Sequence, residues 1–394
     1  MLCKKRLVPC ASLIAISWGL AYAELPPTTK EIDARVDAMA NRGIEFLRAR
    51  GQADDGSFSG NTGAAVTGLV TRSILEHRPA SANTDLVVQK ALAFLESMIQ
   101  SDGGIYAVGS KYRNYETSTA VLAMLAAQPA FAESDSDRHS RYDSVLNRAE
   151  AFLKDIQWDE GEGVSPDEPA YGGSGYGSHS RPDLSNTSFL IEALRELGNG
   201  PDDESIQKAL MFVARTQNLS GHGNNTPHAE KIDDGGFYYT PAAGGQTKAG
   251  ETANGGLRSY GSMTYAGLKS FIYAGLSRDD PRVAAAMSFI TETYTLDSNP
   301  GMGPQGLYYY YHTFAKALDV AGIEVLDDAN GQSHDWRLDL VKKLEATQQA
   351  DGSWVNRDSE RWMEGDRQLV TAYCLMALAR VKQGPSGPIL RNEQ

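Results

Sequence analysis

Leu344-Glu345-Ala346-Thr347-Gln348-Gln349-Ala350-Asp351-Gly352-Ser353-Trp354 is the stretch on which the reading of the chain turns. A helical run ends near Gln348, Asp-Gly makes a turn, and an aromatic follows two residues after the glycine. The same order recurs toward the N-terminus. Arg42-Gly43 precedes Phe46-Leu47, then Gln52, Gly56 and Phe58. Lys90-Ala91 precedes Phe94-Leu95, then Gln100, Gly104 and Tyr106. Arg148-Ala149 leads to Phe152-Leu153, Gln157 and Gly161, and Lys208-Ala209 leads to Phe212-Val213, Gln217 and Gly221. A degraded copy has Phe289-Ile290, with Tyr294 in place of Gln. The basic-to-Gln part reads as a helix whose aromatic and aliphatic pair faces a core. Asp55-Gly56, Asp102-Gly103 and Asp351-Gly352 stop that helix, because glycine adopts the left-handed C-cap conformation. The Gln side chain can bond backbone groups left open at the helix end.

A second, more apolar helix follows each copy. These second helices carry a Thr at a similar place: Thr67, Thr119, Thr187, Thr264, Thr313 and Thr371. Their small residues allow close packing on several sides at once. A helical pair of this kind cannot bury its apolar face alone, so the pairs must stack. The expected fold is all-α, an (α/α)6 barrel of six helical hairpins with inner and outer helix rings. An open solenoid is the alternative. The repeats override the length of 394 residues, which alone would suggest two or three domains. The expected organisation is a signal peptide at 1–23, a linker at 24–34, one toroid domain at 35–383 and a disordered tail at 384–394.

The phased template resembles the QW motif of the prenyltransferase and squalene oxidase repeat family, which includes terpenoid cyclases and protein prenyltransferase β subunits. The resemblance covers about residues 35–383 and is closest at 348–354. It implies an α/α toroid with a central cavity. It says little about chemistry, because that family uses one scaffold for several activities. The chain also departs from the family's catalytic patterns. Asp pairs stand at 54–55, 202–203, 233–234, 279–280 and 327–328, and none completes an Asp-x-Asp-Asp acid motif. Asp-Asp-x-x-Asp is absent, as are the zinc triad, a Cys-Gly-Glu-Gln thioester and a G-x-S-x-G elbow. His222, His228, Asp233 and Asp234 match no standard metal spacing and read as loop residues. No metal and no cofactor is expected.

Hydrophobic residues are 41% and charged residues 22%, which fits a globular chain. Lys plus Arg is 37 against 50 Asp plus Glu, a net charge of -13 with no basic block. That argues against nucleic acid as a partner. Lys4-Lys5-Arg6, the apolar run from Leu7 to Leu20 and Ala21-Tyr22-Ala23 read as a secretory signal peptide. The expected location is therefore periplasmic or extracellular, with no transmembrane span after cleavage. Cleavage leaves only Cys374, in an apolar helical stretch, so no internal disulfide is expected.

In an α/α barrel the inner-helix N-termini at one end form the cavity mouth, and their open N–H groups favour anionic or electron-rich ligands. Five segments enter inner helices with mixed polar and aromatic residues: 112–116, 179–186, 258–262, 308–312 and 362–367. From them come candidate catalytic residues Glu116, Asp183 and His312. Candidate ligand-binding residues are Tyr115, Asn186, Arg258, Tyr260, Tyr308, Tyr311, Trp362 and Asp366. Each has a plainer reading. Asp183 is a good helix N-cap, His312 a hydrogen-bonded core histidine, and the arginines Arg113, Arg258 and Arg367 partners for Glu116, Glu364 and Asp366. Four consecutive tyrosines, 308–311, cannot all face inward, because adjacent helical positions point about 100° apart. The long loops at 159–181 and 218–258 are expected on the mouth side as lids or binding loops.

The functional expectation is a cavity for an isoprenoid or other apolar ligand, with aromatic faces to pack against polyprene or stabilise cations. Two alternatives remain. One is a polysaccharide-acting barrel, which would need paired carboxylates about 5–10 Å apart from among Glu116, Asp183, Glu364 and Asp366. The other is a non-catalytic interaction scaffold at the cell envelope.

Overall fold

The computed structural model describes residues 28–132, 134–177 and 181–382. The expected signal peptide, the tail at 384–394 and the mouth residues His179 and Ser180 lie outside the described residues. Six helices form an outer layer, and side chains just before them set where they start. Thr28 and Glu31 make a reciprocal capping box for α1 (Thr29–Arg50), which takes in the second half of the stretch expected to be a linker. Aspartates cap the other five: Asp85 for α4 (Leu86–Ser97), Asp135 for α6 (Ser136–Asp155), Asp203 for α8 (Glu204–Arg215), Asp280 for α10 (Pro281–Thr293) and Asp335 for α12 (Trp336–Thr347). Two of the Asp pairs noted in the sequence, 202–203 and 279–280, are thereby helix starts.

The inner helices are α2 (Ala64–His77), α5 (Arg113–Phe131), α7 (Leu184–Glu196), α9 (Gly261–Tyr273), α11 (Leu307–Val320) and α13 (Arg367–Lys382). Every residue of α9 is buried, the mark of a helix packed on all sides. Each inner helix packs on the next, and α13 returns to α2, while α1 packs on α12 and α13. The ring closes, which rules out the open solenoid. A short helix α3 (Ser81–Thr84) precedes α4, and a hairpin of β1 (Val325–Asp327) and β2 (Ser333–Asp335) precedes α12.

The template residues tie neighbouring repeats together. Gln348 Nε2 donates to Gly352 O at 2.9 Å and reaches Met39 O, in α1, at 3.0 Å. Gln52 reaches Val87 O, Gln157 reaches Ser205 O and Gln217 reaches Arg282 O in the same way. Gly352 has φ +89°, and a Cβ there would lie 2.3 Å from Arg42 O. The turn therefore docks on the outer helix of the next repeat, at the basic residue that opens its template. In copies three and four this glycine is Gly172 and Gly235, bonded by Gln157 and Gln217 at 2.8 and 2.9 Å, and not Gly161 and Gly221 as the spacing predicts. Long insertions separate Gln from its glycine there, so fixed spacing picks the wrong residue.

The recurrent Thr pins the segment after the turn to the inner helix. Trp354 N donates to Thr371 Oγ1 at 3.1 Å, Phe58 N to Thr67 at 2.9 Å, Ser174 N to Thr187 at 2.9 Å and Phe237 N to Thr264 at 3.1 Å. In the second copy Thr117 does this, to Ile105 N at 3.0 Å, while Thr119 donates to Tyr115 O. Thr313, in the degraded repeat, bonds only its own helix. Thr371→Val keeps the shape and strands the buried Trp354 N–H. It is expected to cost about 1–3 kcal/mol in a denaturant titration. An unchanged midpoint would mean the hydroxyl does not hold the segment.

Candidate functional site

Six inner helices present their N-terminal ends to one face, and a cavity of about 380 Å³ opens there. All six contribute. Ala65 and Val66 come from α2, Tyr115 from α5, Ser185, Asn186 and Phe189 from α7, and Met263 from α9. Tyr309 comes from α11, and Leu369 and Tyr373 from α13. Segments just before the inner helices add Tyr112, Tyr260, Trp362, Met363 and Glu364, and the long loops add Tyr176 and Tyr239. The wall is an edge-to-face lattice. Tyr115 meets Tyr176 at 6.2 Å and Phe189 at 5.1 Å between ring centroids, and Tyr309 meets Tyr373 at 5.7 Å. The Tyr309 and Ser185 hydroxyls are 3.0 Å apart. Burial pushes the Tyr115, Tyr309 and Tyr373 phenols up, so they remain protonated.

Among the described residues Glu364 is the only carboxyl in the lining. Its Oε1 accepts from Tyr308 N and Tyr309 N at 2.9 Å each, at the N-terminus of α11, and its Oε2 accepts from Asn356 Nδ2 at 2.6 Å. Burial pushes it up to about 7, while Asn356 and the helix N–H groups pull the other way. The turn before it is strained: Trp362 and Met363 have φ of 56° and 64°. Trp362 is 42% exposed and stands at the mouth.

The cavity has a floor. Below it His312 stacks on Tyr373 at 5.6 Å. Beneath lies a buried ion network on the C-terminal halves of the inner helices, centred on Glu192 with Lys269, Arg72 and Lys316. Burial drives the His312 imidazole down to about 3, with Glu192 opposing and Lys269 and Arg72 assisting. It is therefore neutral, and it does not line the cavity.

The residues named from sequence divide into two groups. Tyr115, Asn186, Tyr260 and Trp362 line the cavity. The others do not. Glu116 is buried and accepts from Ala64 N and Ala107 N at 2.9 Å, so it holds the start of α2. Asp183 caps α7 through Asn186 N at 3.0 Å and takes Asn186 Nδ2 at 2.9 Å. Burial raises its carboxyl, with Asn186 and the facing Tyr239 hydroxyl opposing, and it sits one layer behind the wall. Arg258 is exposed. Tyr308 and Tyr311 pack against each other at 5.5 Å outside the cavity, and Tyr311 donates to Leu296 O at 2.6 Å. Asp366 caps α13 through Gln368 N at 2.8 Å. Arg367 bonds Asp351, not Asp366.

Sequence reasoning missed Tyr176, Tyr239, Tyr309, Tyr373, Phe189 and Met263. A usable signal existed for Tyr309. Tyr115, Tyr260 and Tyr309 each stand four residues before a Thr of the recurrent set, whose hydroxyl bonds back to that tyrosine's carbonyl. Of the residues weighed as a metal cluster, Asp233 accepts from Ser220 N and Asp234 from Ser259 Oγ and Gly236 N. His228 lies against Gly244 O. Among the described residues no three His, Cys, Asp or Glu side chains converge as a metal site. None of the described helices is long and apolar enough to cross a membrane.

No protein-family profile matches the chain, and no curated protein sequence does. Solved structures do. A variant of the type II terpene cyclase MstE from Scytonema, in complex with merosterolic acid A, aligns with a TM-score of 0.50 at 13% identity, over 89% of this chain and 98% of its own. A possible member of glycoside hydrolase family GH105 from Salmonella enterica serovar Paratyphi A aligns at 0.49 and 11%, over 95% and 98%. A family 88 glycosyl hydrolase from Bacteroides vulgatus aligns at 0.48 and 12%, over 90% and 99%. At such identities the likeness to the cyclase speaks for the architecture alone: the chain has a terpenoid cyclase-like α/α toroid fold.

Proposed function

We propose that this chain is an exported protein of the prenyltransferase and squalene oxidase repeat type whose toroid cavity binds an isoprenoid or other apolar ligand. One observation supports this most: seven tyrosines with Phe189, Trp362 and two methionines enclose about 380 Å³ around a single carboxyl. That volume falls within the range of small-molecule sites, roughly 300–1,000 Å³. The Tyr115, Tyr309 and Tyr373 phenols remain neutral, so their faces pack on hydrocarbon or on developing positive charge. The reading concerns binding and assigns no turnover. A sugar hydrolase would need a second carboxylate facing the cavity, and Asp183 and Glu116 are occupied with backbone N–H groups.

Farnesol titrated into the purified protein is expected to bind saturably. Ala65→Phe, which fills the cavity from α2, is expected to weaken it at least about tenfold with the fold retained. A protein that binds no prenyl alcohol and carries none in a lipid extract overturns the reading. Retention of a glycan or an envelope protein instead would move it to one of the alternatives. Ligand contact dehydrates Glu364 and favours its protonated form. Affinity is therefore expected to be highest below pH 7 and to fall above it, by at most about tenfold per pH unit. A flat profile from pH 5 to 9 would remove Glu364 from the ligand's surroundings. Export is tested by the N-terminus of the protein recovered outside the cytoplasm, expected at Glu24.

A further inference from the structure

Three cations gather at the rim of the cavity in a chain whose net charge is -13. Arg181 and Lys248 both lie over the Tyr239 ring, at 5.4 and 4.6 Å from its centroid. Arg361 lies over Trp362 at 4.3 Å. Both rings line the cavity, so the charges stand where its aromatic wall meets solvent. The partners of these cations are neutral. Arg181 and Lys248 share the Gln246 Oε1 oxygen, the latter at 3.0 Å, and Arg361 bonds Gln305 Oε1. Among the described residues none of the three forms an ion pair with a carboxylate, although lysines and arginines elsewhere on the surface do. Lys248 is held below the ordinary ammonium range by partial burial and then by the repulsion of Arg181 and Arg361, so the three charges sense one another. The opposing charge it feels, and Arg181 with it, is Asp183, whose carboxylate is bonded to the α7 cap. Like charges held together, with only the cap-bound Asp183 opposing them and no carboxylate in contact, leave a positive local field that an oxyanion would relieve.

We propose that the rim binds the oxyanion head of an amphiphile whose apolar tail occupies the aromatic cavity. This rests on the apolar-cavity reading and extends it to the ligand's polar end. Guanidinium forks suit the paired oxygens of a phosphate or carboxylate, and the Lys248 ammonium adds a point charge between them. Tail and head are thus read by separate surfaces, and an uncharged chain meets only the first.

The test uses dodecanol, dodecyl phosphate and inorganic phosphate with the full-length protein. Dodecyl phosphate is expected to bind on the order of tenfold to a hundredfold tighter than dodecanol, in a salt-sensitive way. In Arg181→Gln/Lys248→Gln/Arg361→Gln that ratio is expected to collapse toward one. These are rim side chains outside the core, and each single variant should show part of the collapse. Dodecanol binding with no preference for the phosphate overturns the rim site and leaves the cavity reading intact. Failure of both chains to bind overturns the two together. Inorganic phosphate binding as tightly as dodecyl phosphate overturns the amphiphile, as would retention on phosphatidylglycerol vesicles without binding of the soluble probe.

Discussion

Glu192→Ala is expected to lower folding stability by about 3–5 kcal/mol, because it removes one partner from a buried ion network. Glu192 is fully buried on α7. Its carboxylate accepts from Lys269 Nζ and from Arg72 Nη1 at 2.9 Å, and Lys316 Nζ is 3.4 Å away. Burial alone would raise this carboxyl. The three cations outweigh it and hold Glu192 ionised, well below the usual carboxylate range. Alanine leaves those cations buried with less counter-charge. Since the native carboxyl titrates below its unfolded value of about 4.5, its contribution is complete above that pH and is lost on acidification below it. The contrast is Asp37→Ala, which breaks an exposed pair with Lys382 and is expected to change stability by less than about 0.5 kcal/mol. Denaturant midpoints at pH 7 and pH 4 check both. A Glu192→Ala protein within 1 kcal/mol of the parent at pH 7 would mean water reaches the network, and the cavity would lose its floor.

Trp354→Ala is expected to cost a similar 3–5 kcal/mol, by creating a cavity at the seam of the ring. Trp354 is completely buried, and its Nε1 donates to Leu344 O at 2.9 Å. The indole packs against Gly43 of α1, where a Cβ would lie only 3.0 Å from the ring. It therefore joins the last repeat to the first. A domain of this kind has roughly 5–15 kcal/mol in hand, so the loss would be visible in any thermal or denaturant transition. Trp354→Phe should recover most of it, lacking only the hydrogen bond and part of the volume. A loss under 1 kcal/mol in the alanine variant would show that closure does not depend on the indole.

The repeats made the fold legible because each template residue does the same job in most repeats, within its own turn and against the next repeat. Gln348 satisfies turn carbonyls, Gly352 takes a left-handed φ, and Thr371 pins the following segment. Such jobs recur in phase, and phase survives in a single sequence. The segments that enter the inner helices were legible for the same reason, while only the structure decided that the barrel opens at that end. The lining was harder. A run of four tyrosines carries no periodicity of its own: the sequence points to Tyr308 and Tyr311, yet it is Tyr309 that faces inward. Glu116, Asp183 and Asp366 are carboxylates at the right address, but each is taken up by backbone N–H groups. Tyr176 and Tyr239 come from insertions, which have no template against which to align them.

By itself the sequence determined that six helical pairs stack and which helix of each pair goes inside. Those properties follow from periodic apolar burial and from caps and turns a few residues long. Only the tertiary structure decided which side chains meet across the ring. The rotation of α11 that turns Tyr309 inward, the seat of Glu364 on that helix's N-terminus and the meeting of Arg181, Lys248 and Arg361 join segments far apart in the chain. Their relative placement depends on packing between helices, a quantity that no local pattern encodes.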